Sequence, residues 1–386
     1  MHEGKLNILY LSSWYPSRVH STLGNFVQRH AECIASKHNV TVLYTAFEQG
    51  EVNYPQIEDN KKGQLRTIVV YGKKGFPEIL NKWLTFRKAI DYLEKNNDQK
   101  FDLIHHNVIW NDAWQAVFLS HQYKIPLVVT EHWTGYDTIN RADQPRLLKF
   151  FSKWVAKNTT VFCPVSDDLG KKMKNFGLEG NYVVVPNVVD TGLFRVTQKP
   201  SEYIQFLHVS SLDDRQKNIR GILRVWKKIT LQTDRIKLLI GGDGPYNTYK
   251  SEAKKLSIAE NTIEFFGEKS PQEIAGLMEQ SHCLILFSNY ENLPVVIIEA
   301  LASGMFVVST DVGGISEHID DTRGILCKAG DEDDLEKSMF RAIQQIKNFD
   351  GEQSRNYAIK HFSRESISQH FDDVYRMAIE EYRKND

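Results

Sequence analysis

Short apolar runs alternate with stretches of helical periodicity along the whole chain, and the alternation restarts once near residue 205. This pattern constrains the fold more than any other feature. A strand buried on both faces of a parallel sheet reads as an unbroken apolar run, and the crossover to the next parallel strand needs a helix. In the first half, strands are expected at 7–12, 40–45, 66–71, 101–106, 126–131, 160–165 and 183–186. Helices are expected over about 25–36, 78–95, 111–122, 145–157 and 167–176. In the second half, strands are expected at 205–210, 236–240, 263–266, 283–287, 306–310 and 324–327. Helices there start near Asn218, Pro245, Pro271 and Pro294 and at the acidic run AGDEDDLEK, whose carboxylates suit a helix N-terminus. Two helices close the chain, near 351–361 and 364–384, with Ser363 as the N-cap between them. The expected fold is α/β, with two doubly wound parallel sheets in tandem, over 1–195 and 196–363. The polar stretch 195–203, RVTQKPSEY, is the expected linker.

The densest chemistry lies in 282–304, HCLILFSNYENLPVVIIEALASG. An apolar strand runs to Phe287, a polar loop covers 288–292, and Pro294 is expected as the first helical residue, where its missing N–H costs nothing. Gly304 ends the helix. A strand-loop-helix unit presents free N–H groups and the positive end of a helix at the loop mouth, which suits phosphate. Glu291 in the loop and Glu299 in the helix frame it, and packing gives no obvious reason for either. A sugar nucleotide is the ligand expected here.

Composition narrows the class. The chain has 386 residues, 41% hydrophobic and 25% charged, which fits a globular protein of two domains. A net charge of −1 supplies no global field for nucleic acid. Cys33, Cys163, Cys283 and Cys327 lie far apart without metal-ligand spacing, so buried free thiols in a reducing compartment are expected. The N-terminal apolar run is too short for a signal peptide, and no apolar stretch reaches membrane-spanning length. A cytoplasmic protein is expected.

Other loops at the strand ends carry candidate groups. Gly24 precedes the first helix, where turn geometry explains it as well as substrate approach does. No G-x-G-x-x-G follows the first strand and no Walker loop is present, which argues against a nicotinamide dehydrogenase. In VVTEHWTGYD (128–137), His132 follows a strand. It donates to a sugar hydroxyl, moves a proton, stacks on a ligand, or simply packs under Trp133. Arg215 and Lys217 sit before a helix in SLDDRQKN, where cations pair with a diphosphate or remain solvated. GGDGP (241–245) gives Gly242, suited to close approach of a ring. FGEKS (266–270) gives Gly267 and Glu268, whose backbone can read a nucleobase edge.

Together these residues resemble the retaining glycosyltransferases of the large family four, which have the GT-B fold of two Rossmann-like domains facing a deep cleft. The family's E-x7-E signature matches Glu291 to Glu299, with its E-A-x-A-x-G tail as EALASG. VPNVVD (185–190), GGDGP, FGEKS and DVGGISEHI (311–319) match in place and order, although Val188 stands where Gly is usual. The resemblance implies that Glu299 bonds the ribose and Glu291 the donor sugar. It implies that N–H groups near Leu293 and Val295 hold the diphosphate, and that Gly24 approaches it from the other domain. Lys217 would neutralise the leaving group, and His132 would lie beside the donor sugar in the acceptor half. The closing helix, 364–386, would pack back on the first domain. No metal or cofactor is expected, because a helix dipole and cations act in its stead. Two departures stand out. Ser210-Ser211-Leu212 replaces the usual G-R-L, so the diphosphate arginine is missing and Arg215 is its expected substitute. Asn292-Leu293-Pro294 replaces G-F-G, so Pro294 removes one N–H from the phosphate cradle.

The stretch 144–158, QPRLLKFFSKWVAKN, mixes Arg146, Lys149, Lys153 and Lys157 with adjoining aromatics. It reads either as an amphipathic helix with its apolar stripe on the sheet, or as a peripheral contact with the inner face of an anionic membrane. The expected activity is therefore metal-independent, retaining transfer from a UDP- or GDP-sugar to a glycan or lipid-linked acceptor, in surface-polysaccharide or glycoconjugate synthesis. A sugar-nucleotide epimerase on the same fold and a bilobal binding protein are the alternatives.

Overall fold

The computed structural model describes residues 4–49, 55–75, 77–97, 99–110, 112–137, 139, 146–200 and 202–385. The chain forms two compact units. One comprises Met1–Val165, Gly170–Val185 and Ile367–Asp386; the other comprises Ser166–Leu169 and Pro186–Ser366.

The first unit holds β1 (Asn7–Ser12), β2 (Asn39–Glu48), β3 (Gln56–Lys62), β4 (Leu65–Lys73), β5 (Leu103–Asn107), β6 (Leu127–Glu131), β7 (Val161–Pro164) and β8 (Asn181–Tyr182). They form one sheet in the order β3-β4-β2-β1-β5-β6-β7-β8. The strands pair parallel, except that β3 runs antiparallel to β4. The strands β5, β6 and β7 are buried at every position, as expected for a sheet covered on both faces. Strand order reverses between β1 and β5, which makes that edge the switch point where open α/β sheets take ligands.

Two strand expectations change. The strand β3, QIEDNKK, was not expected, because it carries no apolar run; it forms as the outer arm of a hairpin turned at Gly63 (φ +61°). The strand expected at 183–186 does not form; a two-residue strand, Asn181–Tyr182, lies just before it. Val183 and Val185 still donate to Phe162 O (2.9 Å) and Pro164 O (3.1 Å), but Pro186 has no N–H with which to continue.

The second unit holds β9 (Ile204–Ser210), β10 (Ile236–Gly242), β11 (Ile263–Phe266), β12 (Cys283–Leu286), β13 (Phe306–Thr310) and β14 (Gly324–Cys327), all parallel, in the order β11-β10-β9-β12-β13-β14. This is the doubly wound order, with its switch point between β9 and β12. The helix Ile219–Thr230 buries Ile219, Ile222, Leu223, Trp226 and Ile229, a three-and-four spacing that turns one face to the sheet. Trp226 meets Phe206 of β9 edge-on at 5.7 Å. The four cysteines are buried and free.

The expected boundary at 195/196 moves to Val185/Pro186. The segment after Pro186 is bound to the second unit: Val189 bridges Ser363, and the Arg355 guanidinium donates to Thr191 O (2.8 Å) and Phe194 O (2.7 Å). The expected linker, 195–203, is also tied down. Thr197 Oγ1 donates to Glu279 O (2.8 Å) and Lys199 Nζ to Met278 O (3.2 Å), while His282 Nε2 bonds Pro200 O (2.9 Å); Ser201 lies outside the described residues. Ser363 Oγ accepts from Ser366 N (3.2 Å), as an N-cap does, and the helix Arg364–Asn385 groups with the first unit from Ile367 onward.

Candidate functional site

In the second unit the site grows from the ends of β9 and β12. After β9, Ser210 Oγ accepts from Leu212 N (3.1 Å) and bonds His208 Nε2 (2.8 Å), and His208 Nδ1 bonds Ile285 O (2.8 Å). The fully buried His208 thus locks the turn that stands in place of G-R-L. Burial holds its pKa down at about 4, helped by the Lys217 charge and opposed by the bond to Ile285 O. Nothing in the sequence separated His208 from an ordinary strand residue. Leu212 takes φ +54°, and the short helix Asp214–Lys217 follows, N-capped by Asp213. Asn218 then adopts a left-handed conformation (φ 48°, ψ 50°) and caps the next helix through Gly221 N (3.2 Å). This kink fixes the direction of Lys217.

After β12, the loop is bound to the same turn from several sides. Asn289 N donates to Gln216 O (2.7 Å), Asn289 Nδ2 to Arg215 O (2.9 Å) and Thr310 Oγ1 to Ser288 O (2.7 Å). Gly314 N donates to Asn292 O (2.7 Å), and Asn187 Nδ2 to Leu293 O (2.8 Å). A Cβ on Gly313 would lie 2.2 Å from Glu291 O, so the DVGG run can approach only as glycine. The result is a buried carboxylate with converging donors. Glu291, 6% exposed, takes Ser288 Oγ (2.9 Å) and Lys217 Nζ on Oε1, and Gln216 Nε2 (3.2 Å) on Oε2. Gln216 and Ser288 are functional candidates that sequence reasoning missed, since single polar loop residues carry no signal of their own.

Glu299 is buried on the helix Val295–Ala302. Pro294 is the N-cap of that helix (φ −65°, ψ 126°) and not its first helical residue, so Val295 takes that place. The first-turn N–H groups therefore begin at Val295, and such groups have no acceptor inside the helix. Leu293 is buried and Val295 half-buried. Gly242 has φ +145°, and a Cβ there would lie 1.7 Å from Ser210 O; its smallness serves packing against the β9 turn. Gly267 faces the Tyr246 ring, 3.2 Å from where a Cβ would be. Glu268 and Arg215 are exposed.

Gly24 and His132 belong to the first unit. Gly24 (φ +73°) is the N-cap of the helix Asn25–Ile34, and a Cβ would lie 2.5 Å from Trp14 O, so turn geometry alone requires glycine there. His132 is half-buried between Phe26 (4.5 Å) and His30 (5.4 Å). Burial, reinforced by His30 and His105, holds it neutral well below the usual histidine range. Its loop is organised by Glu131, fully buried, which accepts from His132 N (2.8 Å), Trp133 N (2.9 Å), Ile109 N (3.0 Å) and Tyr136 OH (3.1 Å). Among the described residues no three His, Cys, Asp or Glu side chains converge in a way that could hold a metal ion.

A family model described as glycosyl transferases group 1 matches residues 190–360, and a second, glycosyltransferase family 4, matches residues 23–193. The chain belongs to the group 1 glycosyltransferases. This family member is 32% identical over 177 residues to the N-acetyl-alpha-D-glucosaminyl L-malate synthase of Bacillus anthracis, covering 44% of either chain. It spans about half the length of the curated relatives it matches. Among solved structures, the sucrose-phosphate synthase of Thermosynechococcus elongatus has a TM-score of 0.79 at 18% identity, over 96% of this chain and 98% of that one. The Anabaena protein HepE, solved in complex with UDP, has a TM-score of 0.71 at 16% identity, over 96% of this chain and 100% of that one. These likenesses show the fold: two parallel-sheet α/β units of the GT-B class, as the sequence led us to expect.

Proposed function

We propose that this chain transfers a sugar from a UDP- or GDP-sugar to a glycan or lipid-linked acceptor, with retention of anomeric configuration and without a metal ion. The observation that carries the reading is the buried Lys217–Glu291 pair at the switch point of the second sheet, beside the N-terminus of the helix Val295–Ala302. The ammonium and the first-turn N–H groups offer fixed positive charge where a diphosphate gains negative charge on leaving. In this reading Glu291, which is held by Lys217, Gln216 and Ser288, accepts from donor-sugar hydroxyls, and Glu299 accepts from the ribose. In the transfer the bond from the anomeric carbon to the phosphate oxygen breaks, the acceptor oxygen bonds the same face, and the acceptor proton passes to the leaving phosphate. The capture of HepE with UDP supports a nucleotide-sugar donor by analogy of fold.

The test is incubation with a panel of UDP- and GDP-sugars in EDTA, following nucleotide release and the identity and anomeric configuration of the sugar. Slow release with retention is expected. Formation of an epimer, binding without turnover, or release that EDTA abolishes would each overturn a named part of the reading.

The chain is proposed to work in the cytoplasm, at the inner face of a membrane. Among the described residues no helix is long and apolar enough to cross one. The helix Arg146–Lys157 carries Leu147 (81% exposed), Phe150 (76%) and Trp154 (39%) outward, next to exposed Lys149, Lys153 and Lys157, while Val155 and Ala156 are buried. Apolar and basic groups on one outer face suit an anionic lipid surface. Gln144, Pro145 and the side chain of Arg146 lie outside the described residues.

A further inference from the structure

The first unit contains a cavity of about 270 Å³ at the carboxyl ends of β1, β2, β4 and β5, near the lower end of the ~300–1,000 Å³ usual for ligand pockets. It opens at the switch point between β1 and β5, where doubly wound sheets bind ligands. None of its residues belongs to the donor site described above.

Its floor is built and held. Ser13, after β1, donates from Oγ to Val108 O (2.8 Å) and contacts Asp112 Oδ1. Val108, after β5, takes φ +69°, a conformation that a β-branched residue adopts only under strain. Its carbonyl also bonds His106 Nε2 (3.0 Å), and its N–H donates to Thr130 O (2.9 Å), so the strained turn is fixed on both sides. This turn delivers Trp110 and Asp112 to the cavity. Burial lifts the Asp112 carboxyl above the usual range, against the pull of the Ser13 hydroxyl.

The walls have two characters. Trp110 and Trp114 line one side, each held edge-on by a neighbour: Trp133 at 4.9 Å and Phe86 at 5.0 Å. The lining also carries Lys73 and Lys74 at the end of β4 and Lys82, which is paired with Glu78 at 2.6 Å. Fixed indole faces stack on the C–H faces of a sugar ring, and a half-buried carboxylate beside a hydroxyl bonds ring hydroxyls. Two exposed lysines beside them match an anionic substituent.

We propose that this cavity binds the acceptor, and that the acceptor unit it selects is a sugar carrying a phosphate or a carboxylate. In that arrangement the ring lies against Trp110 and Trp114, its hydroxyls meet Ser13 and Asp112, and the anionic group reaches Lys73 and Lys74. The word acceptor rests on the transfer reading; the binding chemistry does not.

The experiment is calorimetry of the full chain without any donor, so the donor reading does not enter the result. Glucose 6-phosphate, glucuronate, glucose and inorganic phosphate are titrated separately at low salt. At least one anionic sugar is expected to bind about tenfold more tightly than both glucose and inorganic phosphate. Preference for glucose 6-phosphate identifies a phosphorylated acceptor, and preference for glucuronate an acidic sugar. The preference is expected to vanish in Lys73→Ala/Lys74→Ala, whose side chains are exposed and whose loss leaves the core intact. Equal binding of glucose, no binding of either anionic sugar at millimolar concentration, or a preference kept in the double variant would overturn the proposal.

Discussion

Lys217 Nζ rests on Glu291 Oε1 across 74 positions of sequence, and the two side chains are only 12% and 6% exposed. Breaking a buried pair from one side leaves a charge without its partner. Lys217→Ala is therefore expected to cost about 3–5 kcal/mol of stability, as well as donor turnover. Adding Glu291→Ala should restore part of the stability and none of the activity. Urea denaturation of both variants, with donor turnover beside it, checks this; a double variant no more stable than Lys217→Ala would remove the pairing argument.

Arg215 is the proposed substitute for the missing arginine. Its backbone is fixed by Asp213 Oδ1 (3.1 Å) and by Asn289 Nδ2 (2.9 Å), while its side chain is exposed. Arg215→Ala should weaken donor binding about tenfold, near the 1.4 kcal/mol of one charge-assisted contact, and change stability little. Unchanged donor affinity and turnover in Arg215→Ala, beside an inactive Lys217→Ala, would sink the substitution.

Glycines separate packing from permissiveness. Gly242→Ala places a Cβ 1.7 Å from Ser210 O at φ +145° and should destabilise the second unit by at least ~2 kcal/mol. Gly276→Ala, inside the helix Pro271–Gln280 with open space around it, should stabilise by up to ~1 kcal/mol. Thermal midpoints moving in opposite directions are the expected result.

Acid should unfold the protein early. His106 and His208, both buried, are held at about 4 chiefly by burial. Above the ordinary histidine pKa of ~6.5, both folded and unfolded forms are neutral and stability is complete. As pH falls from there toward about 4, the unfolded chain takes protons that the folded chain refuses, a loss on the order of 3 kcal/mol per histidine. Glu131 and Asp112, raised by burial, act in the opposite sense and offset part of it. The urea midpoint should drop between pH 7.5 and 5.0, and less so in His208→Gln; an unchanged midpoint in the parent chain would contradict the sign.

The outward face of the helix Arg146–Lys157 predicts flotation of the chain with vesicles containing anionic lipid at low salt. Leu147→Ser with Phe150→Ser and Trp154→Ser should abolish it, since those three side chains supply the exposed apolar area. No flotation of the parent chain at low salt would remove the membrane contact.

Long apolar runs made both sheets legible, because strands buried on two faces leave an unbroken signature. The same rule hid β3, whose residues face solvent, and let 195–203 pass for a linker. That stretch is polar, yet it is pinned by Thr197, Lys199 and the His282 contact to Pro200 O, none of which leaves a periodic trace. Within the site, Glu291 and Lys217 were legible as motif positions, while the left-handed turn at Asn218 that follows Lys217 left no mark in the sequence. His208, Gln216 and Glu131 act through hydrogen bonds to groups far off in the chain or to loop backbone, so no periodic pattern in the sequence announced them.

The hairpin arm β3 also has a meaning for life in a crowded solution. A sheet's outermost strand is an open row of donors and acceptors on which a foreign strand can template itself. Here one margin is the run QIEDNKK, bristling with charge, and the other, β8, is two residues long. Neither margin offers a second molecule enough neutral backbone to stack upon, so the fold guards itself against fibre growth at both ends of its larger sheet.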